Sequence, residues 1–299
     1  MKILINGRSG QVSRALQRCL KDCGELIVLG RQELDLARTD LIFDTVVALR
    51  PDMIINAAAY TAVDRAETDE AMAFAINATA PGILAQAAAA LAIPLIQFST
   101  EYVFDGAYEG LYQEDMKTSP LNVYGRSKLE GEKAIQAVGG KYLILRTSWV
   151  YSQDGHCFLR SMYKLLQERE LLKVVDDQIG SPTWSETIAA ATQQIVQRYA
   201  STNAGAWGIY HLVATGETSW FSFTQRIAEK LAAQDVKCSK LLPIPSSDYP
   251  TPAKRPHNSR MDCSKIKAQW GVTLPGWQEA FNQCWAEHFQ TTSSSTKPV

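Results

Sequence analysis

The sequence KILINGRSGQV, residues 2–12, decides the fold of this 299-residue chain. A continuous apolar run at residues 2–6 leads into two glycines, and a helical pattern starts directly after the second one. Gly7 and Gly10 permit a tight turn in which backbone N–H groups can approach a ligand closely. The stretch therefore predicts a buried strand, a glycine-rich turn and the N-terminus of a helix, which attracts anions.

Beyond this stretch, short apolar runs alternate with longer helical patterns through the first half of the chain. The apolar runs cover residues 2–6, 25–29, 53–57, 94–99 and 142–147, and the helical patterns include 11–23 and 70–91. Continuous apolar runs are typical of strands that are buried on both faces, and the alternation indicates right-handed βαβ units. We predict an α/β fold, a Rossmann-type doubly wound parallel sheet followed by a smaller C-terminal α/β region that binds the substrate.

The regular alternation weakens after residue 150, where Pro, Trp and Tyr become frequent. We predict a Rossmann domain over residues 1–150, joined by parts of 180–215, and a region over 151–290 that mainly binds the substrate. Predicted helices in the second half cover residues 156–170, 186–199, 219–233 and 277–289. The Ser- and Thr-rich residues 291–299 are predicted to form a flexible tail.

Composition excludes several classes of protein. The formal net charge of -1 argues against a nucleic-acid binder, which usually has a basic excess. The six cysteines are scattered, without the close pairs of zinc or redox sites, and predict free thiols. The N-terminal residues lack a signal-peptide pattern, and the longest apolar stretch, 81–98, fits a buried helix followed by a strand. We expect a cytoplasmic protein with no membrane partner.

The glycine turn predicts a dinucleotide cofactor, because a strand precedes it and a helix follows it. Gly7, Gly10, Gln11 and Val12 would lie against the pyrophosphate, near the positive end of the helix dipole.

The end of the second predicted strand indicates which dinucleotide binds. Arg31 follows Gly30 where an acidic residue would contact the ribose 2′-hydroxyl, and this cation suits a 2′-phosphate. NADPH is therefore favoured, although a solvated Arg31 is an equal alternative and Glu33 would permit NADH. We also assign Asp35 and Leu36 to the cofactor site, where Asp35 can accept a hydrogen bond from the adenine amino group.

Tyr124 is the one tyrosine of eleven with a lysine four residues later, Lys128, which places both side chains on one face of a helix. A neighbouring ammonium favours the phenolate of a tyrosine, whose ordinary pKa lies near ~10. Thr100 follows an apolar strand and reaches the carboxyl edge of the sheet, where it can hydrogen-bond the substrate oxygen. The alternative is an exposed pair on a surface helix. We assign all three residues to catalysis.

These motifs together resemble the extended short-chain dehydrogenase/reductases. Longer segments resemble one branch, the dTDP-4-dehydrorhamnose reductases, over nearly the whole chain. The segments are NAAAYTAVDRAE at 56–67, PLNVYG at 120–125, RTSWVY at 146–151 and RPHNSR at 255–260. The resemblance implies the reduction of dTDP-4-dehydro-β-L-rhamnose at C4, a step of dTDP-rhamnose biosynthesis for lipopolysaccharide O-antigen.

The resemblance also assigns site residues by position. It implies that Ala59, Tyr60, Thr61 and Phe98 line the nicotinamide half of the cofactor, with Tyr124 as proton donor. It implies contacts between the dTDP-sugar and Thr100, Glu101, Tyr102 and Trp149. Glu101 and Tyr60 depart from the aspartate and histidine that are usual in the family.

Some members of the family are magnesium-dependent homodimers with glutamates at the interface. Two of the aligned positions are acidic, Glu186 and Glu287, but the third is Ala15. We therefore predict no metal site, leave Mg²⁺ open, and expect a monomer or a homodimer.

The substrate's diphosphate requires local positive charge in a nearly neutral protein. Lys254, Arg255 and Arg260 can supply it, with Asn258 contacting a phosphate or sugar oxygen, unless this segment is merely a solvated loop. Two other functions stay open, another sugar-nucleotide reductase or epimerase and a non-catalytic subunit like the regulatory subunit of methionine adenosyltransferase. The intact Tyr124, Lys128 and Thr100 favour catalysis.

Overall fold

A computed structural model describes residues 1–289 of the chain; the predicted tail at 291–299 lies outside the described residues. The strands are β1 (Lys2–Asn6), β2 (Glu25–Leu29), β3 (Met53–Asn56), β4 (Leu95–Thr100), β5 (Tyr142–Thr147), β6 (Val150–Tyr151), β7 (Leu171–Val175), β8 (Ile179–Gly180), β9 (Thr183–Trp184), β10 (Gly208–His211), β11 (Thr218–Ser219) and β12 (Lys240–Ile244).

The α-helices are α1 (Gln11–Leu20), α2 (Thr39–Leu49), α3 (Val63–Ala66), α4 (Glu70–Phe74), α5 (Ala80–Ala90), α6 (Val123–Val138), α7 (Phe158–Glu168), α8 (Ser185–Thr202), α9 (Trp220–Ala232), α10 (Ser264–Trp270) and α11 (Trp277–His288). A π-helical turn, Ala75–Thr79, joins α4 to α5, and short 3-10 turns cover Glu101–Val103 and Ser246–Asp248.

A six-stranded parallel sheet in the order β10-β5-β4-β3-β1-β2 forms the centre of the molecule. Strand β1 pairs with β2 on one side and with β3 on the other, so the direction of winding reverses between β1 and β3. Ligands of open α/β sheets bind outside the carboxyl ends of the strands at such a reversal. The predicted fold class, a doubly wound parallel sheet, is confirmed.

Two hydrophobic cores cover the two faces of this sheet. One packs α1 and α8 against β1, β3 and β5, with Leu16 and Ile188 fully buried. The other packs α2, α5 and α6 on the opposite face, with Val46 and Leu84 fully buried. Helix α8 and strand β10 come from the second half of the chain but pack with the sheet and helices that the first half forms.

A third core lies among α7, α9 and α11, where aromatic side chains such as Trp184, Phe223 and Trp285 are buried. Short strand pairs, β7 with β12, β8 with β11 and β6 with β9, flank these helices. This second region places α9 and the residues after β5 beside the carboxyl edge of the sheet.

The helical stretch Glu70–Ala90 differs from the single regular helix that the pattern predicts, because the π-helical turn interrupts it. By length and composition alone this stretch could cross a membrane, but half of its most apolar window is buried inside the protein. Its α5 segment packs in the core between α2 and α6. All six cysteines are free, as predicted.

The π-helical turn packs directly against α6 through backbone atoms. A Cβ atom at Gly131 in α6 would overlap the carbonyl oxygen of Asn77. The Asn77 side chain donates a hydrogen bond to the Ser127 hydroxyl, also on α6, at 3.0 Å. Glycine at residue 131 therefore fixes how closely α6 approaches its neighbour.

We expect Gly131→Ala to destabilise the protein by about 1–3 kcal/mol, the usual cost of overpacking a core. Helix propensity alone would give the opposite sign, because alanine in a helix interior is favoured over glycine by roughly 1 kcal/mol. Urea unfolding measures the difference. Gly139→Ala serves as the control, since a Cβ atom there contacts nothing and only its positive φ opposes the change. A Gly131→Ala protein more stable than the parent would contradict the packing argument.

Candidate active site

A cleft of about 820 Å³ opens at the carboxyl edge of the sheet, over the reversal between β1 and β3. It runs from the glycine turn after β1 to the start of α6 and on to α9. Every residue that the sequence assigns to the cofactor and to the reaction lines this cleft. These are Gly7, Gly10, Gln11, Val12, Arg31, Asp35, Leu36, Ala59, Tyr60, Thr61, Phe98, Thr100, Glu101, Tyr102, Tyr124, Lys128 and Trp149.

The glycine turn has the geometry of an anion-binding helix terminus. Gly7 has a φ of 101°, and a Cβ atom there would lie 2.9 Å from the backbone nitrogen of Ala58. The Gly10 N–H is occupied, since it donates to the Gly7 carbonyl at 2.9 Å. Gln11 and Val12 begin α1, where N–H groups have no intrahelical acceptor and no side chain caps the helix. These two amides are the free donors for a pyrophosphate.

Side-chain amides form the floor of the cleft beneath the strand ends. Asn6 donates to Asn56 at 3.3 Å, and Asn56 donates to Gln97 at 2.7 Å. Gln97 in turn donates to the Phe98 carbonyl at 2.8 Å. This polar chain crosses from β1 through β3 to β4 and holds the three strand ends in register.

The loop after β3 is tied to the neighbouring helices by Asn77. Its side chain accepts a hydrogen bond from the Tyr60 N–H at 2.9 Å and donates to the Tyr60 carbonyl at 3.0 Å. The Tyr60 hydroxyl donates to Asp69 at 3.0 Å. The segment that the sequence assigns to the nicotinamide is therefore held in place by the π-helical turn.

Two buried polar atoms in the cleft lack a protein partner among the described residues, the Gln11 Oε1 and the Thr147 hydroxyl. Burial of an unpaired polar atom costs roughly 1–3 kcal/mol, so such atoms indicate a ligand or water. Together with the free amides of α1, they fit a dinucleotide along the sheet edge.

At the adenine end of the cleft, both arginines have acidic neighbours. Arg31 is largely exposed, and its Nε lies 3.3 Å from Asp35 Oδ2. Arg8, which sequence reasoning missed, pairs with Glu33 at 2.7 Å and donates to the Val28 carbonyl at 2.8 Å. Glu33 also accepts the Gly30 N–H at 2.9 Å, and the hydrogen bond from Arg8 lowers the pKa of its carboxyl.

Gly30 lies beside both members of the Arg8–Glu33 pair. A Cβ atom on Gly30 would lie 3.2 Å from Glu33 Oε2, 3.5 Å from the Arg8 Cβ and 3.8 Å from its Nη1. The only sequence signal for Arg8 was its position in the glycine turn. Its pairing with Glu33 could not be predicted, because the two residues are distant in the sequence. The adenine end thus presents two guanidinium groups, from Arg8 and Arg31.

Helix α6 carries Tyr124 and Lys128, and its N-cap is Asn122, whose side chain accepts the Gly125 N–H at 2.8 Å. Lys128 is buried on this helix, and its ammonium donates to the Phe98 carbonyl at 2.6 Å. Burial lowers the pKa of Lys128 to about 8, against the opposing charge of Glu132. The lysine is therefore mostly protonated at neutral pH.

The Tyr124 phenol has a pKa above its ordinary value, because burial and the charge of Glu101 outweigh a hydrogen bond from Thr100. This differs from the sequence expectation that Lys128 favours the phenolate. In the structure the Lys128 ammonium is directed to the Phe98 carbonyl. The phenol consequently keeps its proton at neutral pH and can act as a donor.

Glu101 is buried beside the reacting groups. It accepts a hydrogen bond from the Thr100 hydroxyl at 2.8 Å, and burial raises its pKa to about 7. Thr100 also accepts the Tyr102 N–H at 3.2 Å, which caps the 3-10 turn that follows β4. The Tyr102 ring meets the Tyr124 ring edge-on, with centroids 5.5 Å apart.

The segment at 255–260 does not line the cleft. Arg255 forms a two-pronged ion pair with Asp64, and Arg260 pairs with Glu217 at 2.8 Å. The Asn258 amide donates to the carbonyls of Tyr108 and Gly110. The structure therefore gives these three residues intramolecular partners, in place of the free groups that the sequence suggested for a diphosphate.

The model of the RmlD substrate binding domain family matches residues 1–289 of the chain. A dTDP-4-dehydrorhamnose reductase of Burkholderia thailandensis is 41% identical over 291 residues, which cover 95% of this chain and 98% of that protein. The chain belongs to this reductase family. The dTDP-4-dehydrorhamnose reductase of Escherichia coli K12 is also 41% identical, over 98% of this chain and 100% of its own length.

A solved structure extends the similarity to the overall fold. The dTDP-4-dehydrorhamnose reductase of Bacillus anthracis, crystallised in complex with NADP, superposes with a TM-score of 0.88. It is 32% identical, and the match covers 96% of this chain and 99% of that one.

The cleft also contains residues that the sequence did not assign to it, among them His156, Phe158 and Trp220. They belong to the second region, and no local sequence pattern indicates their place in the cleft.

Glu101 gives a pH-dependent prediction of stability. The folded protein holds this carboxyl proton more tightly than the unfolded chain, with a pKa of about 7 instead of 4.5. Stability should therefore fall as pH rises from about 4.5 to about 7, by at most on the order of 3 kcal/mol. Glu101→Gln removes the titration and keeps a hydrogen-bond acceptor for Thr100, so its stability relative to the parent should increase over that range.

Thermal unfolding from pH 4.5 to 8 tests this expectation, with Glu109→Gln as the control at an exposed carboxyl. A constant difference between parent and Glu101→Gln across the range would show that Glu101 does not titrate in this window.

Proposed function

We propose that the chain catalyses the NAD(P)H-dependent reduction of dTDP-4-dehydro-β-L-rhamnose at its C4 ketone, which gives dTDP-β-L-rhamnose. The observation that carries the proposal is the convergence of Tyr124, Lys128 and Thr100 in one cleft with an anion-binding glycine turn, in a chain of the dTDP-4-dehydrorhamnose reductase family.

The cleft residues suit a dinucleotide along the strand ends. Gln11 and Val12 would bind the pyrophosphate, and Lys128 would reach the ribose next to the nicotinamide. When bound, NADPH supplies the hydride that reduces the carbonyl carbon. Arg8 and Arg31 line the adenine end, where they pair with Glu33 and Asp35. Arg31 is largely exposed and could turn from Asp35 to a 2′-phosphate, which would favour NADPH over NADH.

Tyr124 would donate the proton that the carbonyl oxygen needs as negative charge develops on it. Its raised pKa keeps the phenol protonated at neutral pH until transfer. Because the Lys128 ammonium is directed to the Phe98 carbonyl, it would act on the phenolate that transfer leaves through its charge and not through a direct hydrogen bond. Thr100 would orient the same substrate oxygen by donating its hydroxyl proton to it. That proton is free for the substrate when Glu101, 2.8 Å away, is protonated and donates to Thr100 instead.

No metal ion enters the proposal. Glu186 forms an ion pair with Arg18 and accepts a hydrogen bond from Gln153, and the Ala15 side chain has no oxygen to offer a metal ion. Within residues 1–289, no three or more His, Cys, Asp and Glu side chains form a group suited to a metal ion.

One experiment tests the whole proposal. The dehydratase and epimerase that make the keto-sugar are coupled to this protein, NADPH oxidation is followed, and the product is identified by NMR. Formation of dTDP-β-L-rhamnose is expected. NADPH binding without turnover would favour a non-catalytic subunit, and a product of different configuration at C4 would point to another sugar-nucleotide enzyme.

Tyr124→Phe removes the proposed donor and keeps the packing of the ring. We expect kcat to fall by about 10² to 10⁴, the usual contribution of a positioned acid, with the affinity for NADPH nearly unchanged. Tyr163→Phe, on α7 and outside this cleft, is the matched control. A Tyr124→Phe enzyme that folds, binds NADPH and turns over at the parental rate would contradict the role of Tyr124 as proton donor.

Arg31→Ala should raise the KM for NADPH more than the KM for NADH. Loss of a partly exposed contact to phosphate costs on the order of 1–3 kcal/mol, which is roughly tenfold or more in affinity. Arg38→Ala is the control, because Arg38 is an exposed arginine that pairs with Asp40 outside the cleft. Equal effects on the two cofactors would show that Arg31 does not select between them.

A further inference from the structure

Trp149 has a left-handed backbone, with a φ of 47°. Within residues 1–289, the other non-glycine residues with positive φ lie at the ends of helices, where this conformation is common. Trp149 instead lies between two strands, β5 and β6, and lines the cleft. A bulky residue in this region is strained, and such strain persists only where the surroundings hold it.

The indole of Trp149 is held by an aromatic stack. It lies parallel to the indole of Trp220, at the start of α9, with centroids 3.5 Å apart and an angle of 9° between the planes. Phe158 packs on Trp220 at 4.2 Å. Trp220 is fixed in turn by a hydrogen bond from its N–H to Gln178 at 3.2 Å, and Gln178 donates to Ser246 at 2.9 Å.

Gly180 in β8 allows the indole to lie where it does. A Cβ atom at residue 180 would lie 2.5–2.8 Å from three atoms of the Trp149 ring, Cε2, Cζ2 and Nε1. The contact involves the rigid ring of a strained residue, so the ring would have to move if residue 180 were larger. Three segments distant in sequence thus determine one ring position.

The Trp149 N–H makes no hydrogen bond to the part of the chain that the structure describes, whereas the Trp220 N–H is occupied by Gln178. An indole with a fixed plane and a free N–H offers an apolar surface and one donor, a combination that suits a sugar ring with its hydroxyls.

We propose that Trp220 is a positioning residue which, together with the absence of a side chain at Gly180, fixes the Trp149 indole for contact with the sugar of the substrate. The inference rests on the proposed function, because that function supplies the sugar. Positioning of this kind acts on the substrate and leaves the cofactor half of the cleft untouched. Its effect can be large, because a misplacement of about 1 Å can cost 10²-fold in rate.

Crystal structures of the variants test the stack without any substrate. We expect the Trp149 indole to lie parallel to Trp220 in the parent protein, to leave that position in Trp220→Leu, and to keep it in Trp207→Phe. Trp207 is the matched control, since it contacts Trp270, with centroids 5.9 Å apart, and does not line the cleft. A Trp149 indole that keeps its position in Trp220→Leu would overturn the proposal.

Steady-state kinetics test the consequence. Trp220→Leu and Gly180→Ala should each raise the KM for the keto-sugar about tenfold or more and leave the KM for NADPH within about twofold. Trp220→Phe keeps a ring for stacking and should keep the keto-sugar KM close to that of the parent, with the Trp149 indole in its parental position. Equal losses for both ligands would indicate a general structural defect and contradict positioning, as would an unchanged keto-sugar KM in Trp220→Leu.

The two arms separate this inference from the proposed function. If the parent protein does not reduce the keto-sugar, the proposed function fails, and the position of the Trp149 indole in the Trp220→Leu and Gly180→Ala structures then decides alone whether Trp220 and Gly180 hold Trp149. If the parent does reduce it and the variants behave as the parent does, only the positioning role fails.

Discussion

The buried ion pair between Arg146 and Glu132 connects the sheet to α6, the helix that carries Tyr124 and Lys128. Both side chains are at most 2% exposed, and the guanidinium donates two hydrogen bonds to the carboxylate, at 2.6 and 2.9 Å. Ser99 adds a third at 2.5 Å, so β4, β5 and α6 meet at one carboxylate. Loss of one partner would leave an uncompensated buried charge, typically a cost of 3–5 kcal/mol. Glu132 lies one helical turn after Lys128 and supports the charged form of that lysine against burial. The interaction that docks α6 therefore also maintains the electrostatics of the cleft.

The fold was largely predictable because its signals are local. Strand β5 has the predicted bounds, since a continuous apolar run specifies a strand that is buried on both faces. Tyr124 and Lys128 could be recognised from spacing alone, as the helical period places them on one face. A parallel sheet gathers its carboxyl ends at one edge, so residues after β1, β3 and β4 had to converge. The π-helical turn inside Glu70–Ala90 was missed, because the alanine-rich pattern does not distinguish it from a regular helix.

What the sequence could not predict depends on partners that are distant along the chain. The basic segment at 255–260 has the composition of an anion site, and its two arginines pair with Asp64 and Glu217 in the structure, so a role for them in binding a diphosphate stays a prediction. Arg8 forms an ion pair with Glu33, and the Trp149 ring stacks on Trp220, some seventy residues later in the sequence. Residue type at a single position does not indicate whether a charge is free or already paired. The cofactor side of the cleft was easier to predict, because backbone geometry near the sheet edge defines it. The substrate side depends on the tertiary packing of separate segments.

The chain of side-chain amides beneath the strand ends has a consequence for how the protein responds to its solution. Asn6, Asn56 and Gln97 carry no titratable group, so their hydrogen bonds persist unchanged over a wide range of acidity and salt. Glu101 and Lys128, whose pKa values lie near neutrality, are close to the end of this chain, since Gln97 and Lys128 donate to the same Phe98 carbonyl. The shape of the strand ends should therefore stay the same as the solution becomes more acidic or more basic, while the charge that they present to a ligand changes.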